Sequence, residues 1–84
     1  MKLTREDWPS YDLENGGLRD CTLLKVSFMQ LSTGDFRTCV WGADDFGMEF
    51  DVENREIAWD KFQKIIVMDY VSQASLKKLG FVLA

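Results

Sequence analysis

Two adjacent stretches of this chain bring together side chains whose types and spacing suit chemistry at a surface. In Trp41-Gly42-Ala43-Asp44-Asp45-Phe46-Gly47, two acids, two glycines and two aromatics share one turn. Tight turns need Gly and Asp for backbone reasons alone. A turn that also exposes Trp41 or Phe46 beside Asp44 and Asp45 suits an Arg- or Lys-bearing partner, through a cation–π contact and an ion pair. Immediately downstream, Glu49, Asp51 and Glu53 recur at every second position. On an extended strand that spacing lines carboxylates along one face at intervals of about 6.8 Å, of the order of successive phosphates on a nucleic-acid strand. Such a ladder either solvates a strand face and guards a sheet edge, or stands in for a phosphate backbone in a basic groove. The candidate contact residues are therefore Trp41, Asp44, Asp45, Phe46, Glu49, Asp51 and Glu53.

Other chemistries fail on residue type. The chain has no histidine, which removes the usual metal ligand and the usual general base at neutral pH. Asp44-Asp45-Phe46-Gly47 lacks the alternating oxygen ligands and distant Glu of a calcium loop. Cys21 and Cys39 without histidine make no zinc site, and the hairpin register expected below holds them well apart, as buried free thiols. Ser32, Ser72 and Ser75 have no base to activate them. Lys77-Lys78 reads as an exposed helix face and Asn15-Gly16-Gly17 as a turn rather than a phosphate loop. A carboxylate pair on a strand of so small a domain has no enclosing groove for acid–base work. The expectation is a protein that is not an enzyme and needs neither cofactor nor metal.

The elements that must position these residues follow from periodicity. Leu24, Val26 and Phe28 alternate with Lys25 and Ser27, the pattern of a half-buried strand, and Ser32-Thr33-Gly34-Asp35 supplies the turn of a hairpin. Phe36 to Trp41 is the return strand. With a loop of two or four residues, Phe28 falls opposite Cys39 and Val26 opposite Trp41, and these four share the core face. Met48, Phe50 and Val52 alternate with Glu49, Asp51 and Glu53 as a third strand. Asn54 caps a helix whose apolar stripe is Ala58, Trp59, Phe62, Ile65 and Ile66, with Glu56 in its first turn. Ser72 caps a second, short helix with Leu76 and Leu79 inward, and Gly80 takes the left-handed position after it. The apolar tail Phe81, Val82 and Leu83 suits a short edge strand. The fold class read from this order is α+β: a three-stranded antiparallel meander followed by two helices packed on one sheet face, β-β-β-α-α. Residues 1–17 form an N-terminal arm, ordered in part, with a single helical turn at Thr4-Arg5-Glu6-Asp7 and with Trp8 and Tyr11 as anchors. Residues 18–84 form one α+β domain.

Composition supports a folded, mildly acidic domain. The 84 residues are 46% hydrophobic and 29% charged, with net charge −4, too apolar for a disordered tail. Charge is unevenly spread: residues 1–54 carry net −6 and residues 55–84 net +2. An acidic balance argues against direct nucleic-acid binding, which needs a basic stripe to displace counterions. Apolar runs such as Ile65 to Met68 stay far below the roughly 20 residues of a membrane span. Residues 1–8 contain no apolar core of a signal peptide, so a cytoplasmic protein with no membrane partner is expected.

Small size, missing histidine and the acidic stretch from Asp44 to Glu53 with its flanking aromatics give the chain a general resemblance to a class of bacteriophage proteins. It resembles the small, acidic, single-domain accessory proteins that bind and block host factors, including anti-CRISPR and other anti-defence inhibitors. These share no common fold, so the resemblance transfers no residue. It implies a non-enzymatic inhibitor that blocks a larger basic protein or nucleoprotein complex through an acidic-aromatic surface, in the host cytoplasm. Two rivals stand beside it. One is a homodimeric assembly protein joined through Trp8, Trp59 or the Phe81 to Leu83 tail. The other captures a nucleotide at a dimer interface, with Lys61, Lys64, Lys77 and Lys78 on the phosphates.

Overall fold

The computed structural model describes residues 8–19, 21–42 and 46–84. Among them, seven strands and two helices follow one another as β1 (Ser10–Leu13), β2 (Gly16–Gly17), β3 (Leu24–Gln30), β4 (Phe36–Gly42), β5 (Gly47–Val52), α1 (Arg55–Ile66), β6 (Val71–Ser72), α2 (Gln73–Lys78) and β7 (Val82–Leu83). One antiparallel sheet runs β1-β3-β4-β5-β7, and β2 pairs with β6 in a small parallel ribbon. The class is α+β, but the three-stranded meander expected from the sequence is corrected to a five-stranded sheet plus a two-stranded one. The meander β3-β4-β5 is its centre. Residues 10–13 add β1 along one side, and the C-terminal tail returns as β7 along the other. Thr4 to Asp7, where a helical turn was expected, lies outside the described residues.

The second correction concerns register. Leu31 N donates to Asp35 O at 2.8 Å and Gly34 N to Leu31 O at 3.0 Å, leaving Ser32, Thr33 and Gly34 as the loop proper. Gly34 has φ +97, a conformation that only glycine adopts without strain, as in the common three-residue hairpin loop that closes on a glycine bulge. A loop with an odd residue count shifts the pairing by one relative to a loop of two or four. Phe28 therefore faces Thr38 and Val26 faces Val40, not Cys39 and Trp41. Because side chains alternate across a strand, that one-residue shift sends Cys39 and Trp41 to the opposite sheet face.

The inner face carries Leu24, Val26, Phe28, Thr38, Val40 and Met48, all buried. Helix α1 lies on it, touching β3, β4 and β5. Phe62 is fully buried, stacks on Trp59 at 5.2 Å and meets Phe28 edge-on at 6.3 Å and Tyr11 at 5.8 Å. Thr38, buried among apolar side chains, donates its hydroxyl to Ala58 O at 2.6 Å and so fixes α1 against β4. The helix ends match their sequence signals. Asn54 accepts from Ile57 N at 3.1 Å, and Ser72 and Ser75 form a reciprocal capping box. Gly80, with φ +98, donates to Lys77 O while Phe81 N reaches Leu76 O, the paired bonds of a left-handed helix stop.

The ribbon β2-β6 replaces the turn expected at Asn15-Gly16-Gly17. A Cβ at Gly16 would sit 2.5 Å from Val71 O, so glycine there permits the close backbone approach that parallel pairing requires. Asn15 O accepts from Val71 N at 3.0 Å, tying the N-terminal strands to the segment that links α1 and α2.

Replacing Gly34 by Ala isolates the backbone cost of the loop, since no atom lies within 4 Å of the added Cβ. The Gly34→Ala variant is expected to lose about 1–2 kcal/mol of stability in urea unfolding, and an unchanged midpoint would show that the loop does not need its positive φ.

Candidate functional site

Among the described residues no helix lies on the outer sheet face, which presents the residues that the register turned outward. Down its centre, Ser27, Cys39 and Glu49 lie side by side on β3, β4 and β5, flanked by the cross-strand pairs Lys25–Trp41 and Arg37–Asp51. Each polar group meets a neighbour. Arg37 grips Asp51 with both ends of its guanidinium, Nε to Oδ1 at 2.7 Å and Nη2 to Oδ2 at 2.9 Å, and its Nε also lies 3.3 Å from Glu49 Oε2. The Trp41 indole N–H donates to Ser27 Oγ at 3.1 Å, and Lys25 Nζ sits 5.5 Å from the Trp41 ring centre while approaching Asp12 Oδ1 at 3.4 Å.

Titration follows from these contacts. The hydrogen bonds from Arg37, ahead of its bare charge, hold the Asp51 carboxyl below the usual carboxylate range. The same bonds hold the Arg37 guanidinium still more firmly protonated. Cys39, half-buried between strands, is pushed up to about 11, first by burial and then by the nearby Glu49 charge. A thiol so placed stays protonated at neutral pH and is a poor nucleophile.

At the β1 end of this face the sheet opens into a groove of about 420 Å³, lined by Leu13, Leu23, Leu24, Trp41 and Gly42 with Asp12, Glu14 and Lys25 around it. Leu23 is 77% exposed and Trp41 39%. Trp is among the residue types enriched in interface hot spots, and here the indole is clamped by a hydrogen bond and a cation beside an exposed leucine. At its rim Asp12 pairs with Lys25 and Glu14 adds a further carboxylate.

The residues singled out from the sequence divide accordingly. Trp41 stands at the groove, on the outer face rather than in the core. Glu49 and Asp51 share that face, but both engage Arg37, so they form a mixed-charge cluster rather than a free ladder. Glu53 is exposed beyond the end of β5. Phe46 is half-buried against the core with the Arg19 guanidinium 4.6 Å from its ring centre, so its face is already covered by a cation of this chain. Asp44 and Asp45 lie outside the described residues. Of the residues named for the rival readings, Trp59 spends its ring on Phe28 and Phe62, Lys64 pairs with Asp60 at 3.0 Å, and Lys61 lies over Phe50. Val82 and Leu83 remain exposed on β7.

Sequence reasoning missed Arg37, Lys25, Asp12, Glu14 and Leu23. One signal was present: Arg37 has the same strand parity as Cys39 and Trp41, and an unpaired guanidinium on the core face is costly. None of the described helices is long and apolar enough to cross a membrane. Comparison with protein-family models, with curated proteins and with solved structures gives no match for this chain.

Because the folded value of Asp51 is lowered, its pairing contributes fully above the unfolded value near 3.9 and is lost as pH falls through the folded value. Asp51→Asn is expected to cost about 0.5–1 kcal/mol at pH 7 and nothing once the wild-type carboxyl is protonated. Urea unfolding at both extremes checks this, and a deficit that persists in acid would place the effect in packing. Alkylation of Cys39 followed by peptide mass mapping should accelerate with pH up to about 11, whereas a plateau near the ordinary thiol range would contradict its burial.

Proposed function

We propose that this chain is a non-enzymatic protein-binding domain that blocks a larger, basic partner by docking on it through the Trp41 end of the sheet. The observation that supports the reading is the groove itself. An indole held in place by Ser27 and Lys25 lines an apolar groove together with an exposed Leu23 and with Asp12 and Glu14. Apolar anchors with carboxylates at the rim favour a partner that offers an apolar side chain among arginines or lysines.

The contacts proposed here differ from the acidic strand face that the residue spacing suggested. Arg37 ties up Glu49 and Asp51, so affinity comes from the groove, and the net charge of −4 contributes mainly to steering and to salt sensitivity. A fast, salt-dependent association with a partner held by few residues is the kinetic form this takes. Blocking follows from size alone, since a domain seated on a basic surface excludes that surface's own ligand.

The test is affinity capture from cells that express the chain, followed by binding measurements on the purified partner. Trp41→Ala and Leu23→Asp are each expected to weaken binding about thirtyfold, and the double substitution Lys77→Glu, Lys78→Glu on α2 to leave it unchanged. A partner that binds both groove variants as tightly as wild type, or that is lost only with the α2 variant, overturns the proposal.

A further inference from the structure

Among the described residues the sheet ends at β1, whose outer side has no neighbouring strand there. Antiparallel pairing alternates between hydrogen-bonded and non-bonded pairs. Phe28 N donates to Pro9 O at 3.1 Å, which makes Pro9, Tyr11 and Leu13 the residues bonded to β3. The N–H and C=O groups of Ser10 and Asp12 consequently point away from the sheet, giving two donors and two acceptors at the spacing of a strand. Beside them on the helix side lies a depression of about 240 Å³, where Tyr11, Leu13, Ile66, Met68 and Val71 share the lining with Asp12, Glu14 and Asn15. On the other side are the Asp12 carboxylate, its side chain 84% exposed, and the start of the Trp41 groove.

A strand laid along β1 would send alternate side chains to these two sides. One set enters this mixed depression beside Tyr11, Leu13 and Ile66, and the other passes the exposed Asp12 carboxylate. We propose, building on the protein-binding reading, that the partner contributes an extended segment of alternating apolar and basic side chains, which joins β1 as a sixth strand of the sheet. Charge selects this occupant over a second copy of the chain. Antiparallel β1-to-β1 pairing across a twofold axis would bring the Asp12 and Glu14 carboxylates of both copies into one row, where like charges repel. Main-chain bonds supply affinity in this mode, and the two sides of β1 supply selectivity.

The probe is a capped peptide of alternating lysine and valine, seven residues long, titrated into the isotopically labelled chain, with two comparison peptides. One is N-methylated at every residue, which removes its strand donors, and the other carries glutamate in place of lysine. On the protein side, Asp12→Pro removes an outward N–H that β3 does not use, a place where edge strands tolerate proline, and Asp12→Asn controls for the lost charge. The lysine–valine peptide is expected to bind and to move the amide signals of Tyr11 to Leu13. N-methylation of the peptide, and Asp12→Pro relative to Asp12→Asn, should each weaken binding about tenfold, and the glutamate peptide should not bind. Equal binding of the N-methylated and parent peptides, no binding of the parent, or identical behaviour of Asp12→Pro and Asp12→Asn overturns strand addition. A captured partner that needs Trp41 but tolerates Asp12→Pro likewise removes strand addition while leaving the docking reading intact. A partner indifferent to both removes the two together.

Discussion

The three-residue loop that Gly34 closes between β3 and β4 decides which side chains each face of the sheet presents. Both parities of β4 carry apolar residues, Phe36 and Val40 on one and Cys39 and Trp41 on the other, so hydrophobicity alone leaves the strand free to turn either way. The odd loop breaks the tie. It places Thr38 where its hydroxyl can bond the Ala58 carbonyl and Val40 where it meets Val26 and Met48. The alternative register would bury the Arg37 guanidinium away from Asp51 and leave Thr38 and Val40 in water, an arrangement that loses a bidentate ion pair and a core side chain together.

From that choice the two faces acquire different chemistry. The inner face closes around an aromatic cluster of Phe28, Trp59 and Phe62, with Tyr11 at its border, and α1 covers it. Its neighbour across the sheet is a polar layer in which Arg37, Asp51, Glu49, Lys25, Asp12, Ser27 and Trp41 satisfy one another. Such a layer holds the indole in a fixed place at low cost, because the contacts that orient it are the ordinary cross-strand pairs of the sheet. The proposed site and the core therefore draw on the same register. The groove at Trp41 exists because that side chain lies on the outer face.

The helices were legible in the sequence because their signals are local. Asn54, the Ser72–Ser75 box and Gly80 each act within a few residues, and the apolar stripe of α1 has the helical period. β5 was legible for the same reason, since its alternation from Met48 to Val52 is complete within the strand. β1 and β2 were not, because Ser10–Leu13 is too short to form without β3 beside it and Gly16–Gly17 has no side chains to show a pattern. The site was half legible. Trp41 and the acids near it stood out by type, but the face they occupy depends on a loop count, and the partners that neutralise them, Arg37 and Lys25, come from other strands. Leu23 and Asp12 join the groove only through pairing across the sheet.

What unites these observations is the claim that the Trp41 end of the open face, continued along β1, is where another protein docks. The most direct measurement is a nitrogen–proton NMR footprint of the labelled chain bound to its captured partner. The Trp41 indole and the amides of Tyr11, Asp12, Leu23, Lys25 and Gly42 are expected to shift or broaden together, while those of Lys64, Lys77 and Lys78 stay in place. Perturbation confined to the exposed faces of α1 and α2, with the Trp41 indole unmoved, would contradict it.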